Sequence, residues 1–228
     1  MQARDNLAGV STIGDDAVVC GQQLGERRLA MSRRHYIAAG GEVIPEGCVF
    51  LSPLFEGDLT DHVSGESFVV DGQLTWDANE NAYLVALGGA DTRVAHIVVP
   101  NMGITTKMTT VYEYKEIGSS NFRPAYLGSA YSGRDVHPYA LAFTMGGARG
   151  SANRWKKFVQ TWNDGAFKVW KNGVLFNSQT VNTTINNTCN TGLSLGYVTV
   201  EGTHSGSYYV KNLRIYNRIL SQQEINDL

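Results

Sequence analysis

The sequence predicts an all-β chain, built as a two-sheet antiparallel sandwich or jelly roll. Three observations predict it. Twenty-five glycines punctuate the 228 residues, short runs rich in Val, Ile, Thr and aromatic residues recur between them, and amphipathic helical periodicity is scarce. The runs follow one another at the close spacing of a sandwich, giving about ten strands.

Taken in order, the first strand opens at Cys48 in CVFLSPLFEGDLTDHVSG. SFVVDGQLTW (67–76), NAYLVAL (81–87), TRVAHIVVP (92–100), TKMTTVYEYKEI (106–117) and YALAFTM (139–145) follow, each bounded by Gly, Pro, Asn or Asp. The segment WKKFVQTWNDGAFKVWKNGVLFNSQT carries Asp164-Gly165 and Asn172-Gly173, the dipeptides of type I′ hairpin turns. They predict a three-strand meander over 156–163, 166–171 and 174–180. Counting outward from the turns pairs Trp162 with Phe167, Gln160 with Val169, Lys171 with Val174, Trp170 with Leu175 and Val169 with Phe176. Alternation then assigns Phe158, Trp162, Phe167, Val169 and Phe176 to a core face, and Val159, Thr161, Lys168, Trp170 and Leu175 to the other. GLSLGYVTV (192–200) and SYYVKNLRIY (207–216) complete the strands. In NRILSQQEINDL, Ser221 and Glu224 have capping-box spacing, with Leu220 and Ile225 as a hydrophobic staple, so a short helix is expected over 222–227.

Composition excludes some function classes. The formal charge is −2 and the pI is near 6.2, too balanced for a nucleic-acid or anionic-membrane surface. No run approaches the roughly 20 apolar residues of a membrane span, and residues 1–20 lack a signal-peptide core, so a product without a cleaved leader is expected. The three cysteines, Cys20, Cys48 and Cys189, are odd in number and far apart. They are expected to be free thiols rather than a disulfide framework.

The strand from Cys48, the VVDGQLTW segment, the tryptophan-led RWKKFVQTWNDG, then FKVWKNG, GLSLGYV and the closing VKNLRIYNRILSQQEI together resemble a laminin-G-like, concanavalin A-like jelly roll over about residues 48–228. Ile215-Tyr216-Asn217-Arg218, Leu220-Ser221 and Glu224-Ile225 are the most specific part. The fold hosts lectins, adhesion modules, glycosidases and structural domains, so it does not fix function by itself.

Superfamily members that cleave β-glucans resemble one another in a Glu-x-Asp-x-x-Glu strand, which this chain lacks. A retaining glycosidase needs carboxyls about 5–5.5 Å apart. Glu113 and Glu116 are three apart and fall on opposite faces of a strand, so no enzyme activity is expected. His35, His62, His96, His137 and His204 show no partner spacing. No cofactor is expected beyond calcium, for which Asp58 and Asp61 are candidate ligands, with Asp91 and Asp135 in other loops; turn-forming aspartates are the alternative reading. For sugar binding, two aromatic patches with hydrogen-bonding neighbours stand out: Trp170 with Lys168 and Thr161, and Tyr126 and Tyr131 with Arg134 and Asp135. The alternative for Trp170 is cover by the opposite sheet or the N-terminal arm.

Residues 1–47 lie outside the resemblance and form an expected attachment arm, with Arg27, Arg28, Arg33 and Arg34 as candidate docking residues for an acidic partner surface. A lectin-like jelly roll with such an arm resembles the decoration, fibre and receptor-binding proteins of bacterial viruses. That resemblance implies a homo-oligomeric, non-enzymatic virion surface protein that contacts other virion proteins through the arm and host glycans through the jelly roll. The alternatives are a monomeric bacterial glycan-binding module and a glycoside hydrolase.

Overall fold

The computed structural model describes residues 36–37, 43–87, 94–117, 125–127, 153–180, 191–196 and 206–228. Fourteen strands and one helix occur among them. They are β1 (Tyr36–Ile37), β2 (Val43–Ile44), β3 (Cys48–Ser52), β4 (Val69–Val70), β5 (Gln73–Asp77), β6 (Ala82–Leu87) and β7 (Ala95–Val98). Then follow β8 (Lys107–Ile117), β9 (Ala125–Leu127), β10 (Lys156–Asn163), β11 (Ala166–Lys171), β12 (Val174–Thr180), β13 (Gly192–Leu195), β14 (Gly206–Tyr216) and α1 (Gln222–Asp227). The fold is the expected antiparallel jelly-roll sandwich. A large sheet runs β12-β11-β10-β8-β14-β6-β5 with β3 also on β14, a small sheet runs β4-β7-β13-β9, and β1 pairs β2.

Turn chemistry places the meander where the dipeptides put it. Asp164 and Gly165, like Asn172 and Gly173, all have positive φ, the type I′ signature whose twist matches the flanking strands. Trp162 pairs with Phe167, Gln160 with Val169, Lys171 with Val174 and Trp170 with Leu175, as the count from the turns requires. The expected pair Val169–Phe176 does not form. A bulge shifts the register after Trp170, so Val169 meets Asn177 and Phe176 becomes the extra residue, 46% exposed. The dipeptide fixes register only until the first bulge.

The expected run 67–76 is also two strands in different sheets. Asp71 and Gly72 both donate their backbone N–H to the Val94 carbonyl, and this turn carries the chain from β4 in the small sheet to β5 in the large one. The expected strand over 139–145 and the thiols Cys20 and Cys189 lie outside the described residues. Cys48 is a buried free thiol, and burial pushes its pKa up to about 12, the behaviour of an inert core cysteine.

Between the sheets lies the main core. Phe50, Val85, Ile97, Tyr112, Tyr114, Phe158, Trp162, Leu193, Leu195, Tyr208 and Val210 are all buried there, each apolar side chain contributing about 1.5–3 kcal/mol. Phe158 stacks on Tyr112 with centroids 5.7 Å apart. A second bulge, between Lys211 and Arg214 of β14 with Asn212 at φ 54°, moves the core-facing side from Tyr208 and Val210 to Leu213 and Ile215. It also changes the neighbour: β14 pairs β6 before it and β3 after it.

A second core sits on the outer face of the large sheet. Ile44, Leu51, Val111, Val159, Trp170, Tyr216, Leu220 and Ile225 pack together there, under α1. The helix starts as its sequence predicts. Ser221 accepts from the Glu224 N–H and Glu224 reaches back to the Ser221 backbone, while Leu220 and Ile225 form the buried staple. Arg218 clamps the corner with two hydrogen bonds to Glu224, 2.7 and 3.1 Å long, and a third to the Glu46 carbonyl. Gly47 has φ 72°, and a Cβ there would lie 2.9 Å from the Arg218 side chain, so glycine is required by both strain and space. Ile44 and Glu46, at the end of the expected arm, are thus tied to the jelly roll.

Candidate functional site

Strand alternation decides which side chains reach the outer face of the large sheet. On β8, Tyr112, Tyr114 and Glu116 point inward, so Thr109, Val111, Glu113 and Lys115 point outward. On β14, Tyr208 and Val210 fill the core and Tyr209 and Lys211 face out. Thr109 and Val111 lie at the end of β8 covered by α1. Glu113 and Lys115 lie at the other end, opposite Lys211 and Tyr209 of β14.

At that end the face is a network of aromatic rings and charges. The Asp77–Ala82 turn, held by an Asn79 N–H to Asp77 Oδ1 bond of 2.9 Å and by Asn81 at φ 49°, presents two carboxylates. Glu80 accepts from the Lys115 ammonium at 2.5 Å and from the Trp155 indole N–H at 3.0 Å. Asp77 accepts from the Tyr209 hydroxyl at 2.7 Å. Trp155, which leads into β10, and Tyr209 have centroids 6.3 Å apart with their planes 38° from parallel. Lys211 Nζ lies 4.1 Å from the Trp155 ring centroid, and Lys115 Nζ lies 5.7 Å from that of Tyr209. Asn212 donates to Glu113 at 2.9 Å.

The hydrogen bonds of the network favour the charged form of two carboxylates. The Lys115 hydrogen bond lowers the Glu80 pKa and the Tyr209 hydroxyl lowers that of Asp77. The same bond to Asp77 raises the Tyr209 pKa to about 12. Both rings are therefore gripped by their polar edges, while Trp155, Tyr209, Lys115, Lys211 and Glu80 all stay partly exposed. Such an arrangement fixes flat apolar plates beside hydrogen-bonding groups, which suits a ligand with one apolar face and a polar rim.

The expected aromatic plate at Trp170 is not on the surface. Trp170 is 7% exposed, sits in the second core, and donates its indole N–H to Gln222 at 2.9 Å. The cover comes from α1 together with Ile44, not from the opposite sheet. Thr161 is buried beside it and Lys168, its cross-strand partner, is exposed. Tyr126 lies on β9, paired with Ser194. Tyr131, Arg134, Asp135, Arg27, Arg28, Arg33, Arg34 and Asp91 lie outside the described residues.

The aspartates organise a loop. Asp61 is fully buried, and its carboxylate accepts from the Leu51, Val63 and Ser64 N–H groups and from the Ser64 hydroxyl. Asp58 accepts from the Thr60 N–H and faces His62 Nε2 at 2.8 Å. A cation at Asp61 would have to displace those donors. Among the described residues no group of three or more His, Cys, Asp or Glu is placed to hold a metal ion. Glu113 and Glu116 point to opposite sides of β8, outward and into the core.

Trp155, Tyr209, Lys115, Lys211, Glu80 and Asp77 are the residues that sequence reasoning missed as a site. Alternation along β8 and β14 could have placed Lys115, Glu113, Tyr209 and Lys211 on one face. Nothing local announces that Glu80 crosses to Trp155.

Comparison with known proteins identifies the scaffold. The family described as the concanavalin A-like lectin/glucanases superfamily matches residues 113–226. No curated protein matches the chain. Among solved structures, Domain 4 of AbnA, a GH43 extracellular arabinanase from Geobacillus stearothermophilus in complex with arabinotriose, is similar with a TM-score of 0.57 and 15% identity, covering 79% of this chain and 97% of that domain. The binding domain of botulinum neurotoxin serotype D gives a TM-score of 0.57 at 15% identity, over 79% of this chain and 51% of the toxin domain. The receptor binding domain of the C/D mosaic serotype gives 0.55 at 14%, over 79% and 50%. The chain spans about half the length of these toxin domains.

Proposed function

The chain belongs to the concanavalin A-like lectin/glucanases superfamily, and on that premise we propose that it is a non-enzymatic glycan-binding jelly roll. The observation that carries this reading is the pair Trp155 and Tyr209 on the open half of the large sheet, open in that no described element covers it, gripped by Glu80 and Asp77. The C–H face of a sugar ring packs on an aromatic plate and is oriented by the ring's polar neighbours. Here Lys115, Glu113 and Asp77 supply the donors and acceptors for hydroxyl groups. The arabinotriose complex of the similar arabinanase domain supports a saccharide of that general kind. The non-enzymatic part of the proposal is supported by the Glu113 and Glu116 pair: Glu113 points outward while Glu116 is buried on the core side, so these two do not converge on one bond.

Binding of the full chain to an array of plant, bacterial and host glycans tests the reading. We expect reproducible signals that Trp155→Ala and Tyr209→Ala remove while both variants stay folded. Retained signals in both variants, or hydrolysis of a bound glycan, would contradict it.

We further propose that the domain acts on the surface of a virus particle, with residues 1–47 as the attachment arm and a homo-oligomer as the working form. The support is organisational. Ile44 and Glu46, the last residues of the proposed arm, pack beside α1 at the end of β8 and β14 away from Trp155, which on this reading would keep attachment apart from recognition. Removing residues 1–42 should leave a folded domain that still binds glycan and no longer joins its particle. A truncated chain that assembles normally would contradict this role.

A further inference from the structure

Lys211 presents a conflict. Its ammonium lies on the face of the Trp155 ring, 4.1 Å from the centroid, where a stacking sugar would have to sit. Across the strands it stands directly opposite Glu113, the position at which unlike charges usually pair. Yet no carboxylate among the described residues lies within ion-pair distance of Lys211, and Glu113 instead accepts from the Asn212 amide through Oε1. Glu113 is therefore a second seat for the ammonium, one cross-strand neighbour away.

The charge count narrows the ligand. Among the described residues joined in this network, Asp77, Glu80 and Glu113 stand against Lys115 and Lys211, three anions to two cations. Lys115 is already committed to Glu80 at 2.5 Å. Within that network of described residues, an acidic sugar would meet a net negative charge and one cation, Lys211, that no carboxylate of the network holds. A neutral sugar meets no such penalty.

We propose that the site takes an uncharged saccharide, and that Lys211 is a specificity-determining occupant of the Trp155 face which the sugar displaces onto Glu113. The inference rests on the glycan-binding reading above. Displacement makes the sugar compete with a cation–π contact, so the lysine weakens binding while it keeps the indole face covered in the free protein.

The experiment is titration calorimetry of the full chain, with Lys211→Ala, Glu113→Gln and Trp155→Ala alongside, against neutral oligosaccharides (arabinan, xylan, galactan and β-glucan fragments) and oligogalacturonate. Removing the competing ammonium should tighten the neutral ligand by about two- to fivefold, the reach of an exposed cation–π contact. Glu113→Gln, which removes the second seat, should weaken it by a similar factor, and Trp155→Ala should abolish it. Oligogalacturonate should bind at least about tenfold more weakly than the best neutral ligand. Tighter binding of the uronate, or a Lys211→Ala variant that loses affinity for the neutral sugar, would overturn this inference and leave glycan binding standing. Silence of the unmodified chain across every saccharide would overturn the glycan-binding reading itself.

Discussion

The outer face of the large sheet is finished in two different ways along the same strands. At one end of β8 and β14, Thr109, Val111 and Tyr216 lie under α1, and Trp170 is buried with Ile44, Leu220 and Ile225. At the other end, Glu113, Lys115, Tyr209 and Lys211 surround Trp155 without a covering element among the described residues. Each half contains a tryptophan whose indole N–H is taken by a side-chain oxygen, Gln222 for Trp170 and Glu80 for Trp155. The contrast shows that an aromatic residue on a sheet's outward face becomes core or platform according to what lies above it. The strand pattern assigns the face. The helix, which is tertiary, assigns the role.

Variants in the covered half should break stability and leave recognition alone. The largest loss is expected for Trp170→Ala, about 3–5 kcal/mol, because it empties a large volume in a packed core. Urea midpoints measure it, and the fraction that remains folded should bind saccharide as before. Ile225→Ala should cost about 2–4 kcal/mol by detaching α1 from the same cluster. Ser221→Ala should cost about 1 kcal/mol through the lost cap. In the open half, Trp155→Ala should change stability by about 1 kcal/mol or less and lower saccharide affinity at least about tenfold. A Trp155 variant as unstable as the Trp170 one would erase the distinction between the halves.

Acid sharpens the same contrast. The Arg218 hydrogen bonds hold the Glu224 pKa at about 2, below its ordinary value of 4.5. A depressed carboxylate pKa contributes stability that is complete above the ordinary value and is lost as pH falls through the folded one. Between pH 5 and 2 the helix cover should therefore loosen, seen as a rise in Trp170 solvent exposure by fluorescence quenching. Glu224→Gln should show that looser state already at neutral pH and a flatter acid response.

The fold was legible in the sequence because its signals are local. Asp164-Gly165 and Asn172-Gly173 set two hairpins and four cross-strand pairs, and the spacing of Ser221 and Glu224 set the helix start to the residue. The first error came where a bulge entered β12 and turned Phe176 outward. Bulges depend on how a strand twists against its neighbours, which no dipeptide encodes. The site was not legible for a related reason. Trp170 looked like a plate because its strand face mixed polar and apolar residues, and its cover comes from a segment more than fifty residues later, through the Gln222 contact. Trp155 was seen only as the start of a strand, since its partner Glu80 is 75 positions away. Local pattern gave the faces, and long-range contacts divided one face into a core and a candidate binding surface.

The four tryptophans provide the most direct test. Their indole N–H resonances can be followed by nitrogen-15 NMR while a neutral oligosaccharide is added to the intact chain. The Trp155 signal should shift with saturation, and those of Trp76, Trp162 and Trp170 should stay in place. Movement of the Trp170 signal with a stationary Trp155 would contradict the assignment of recognition to the open half of the sheet.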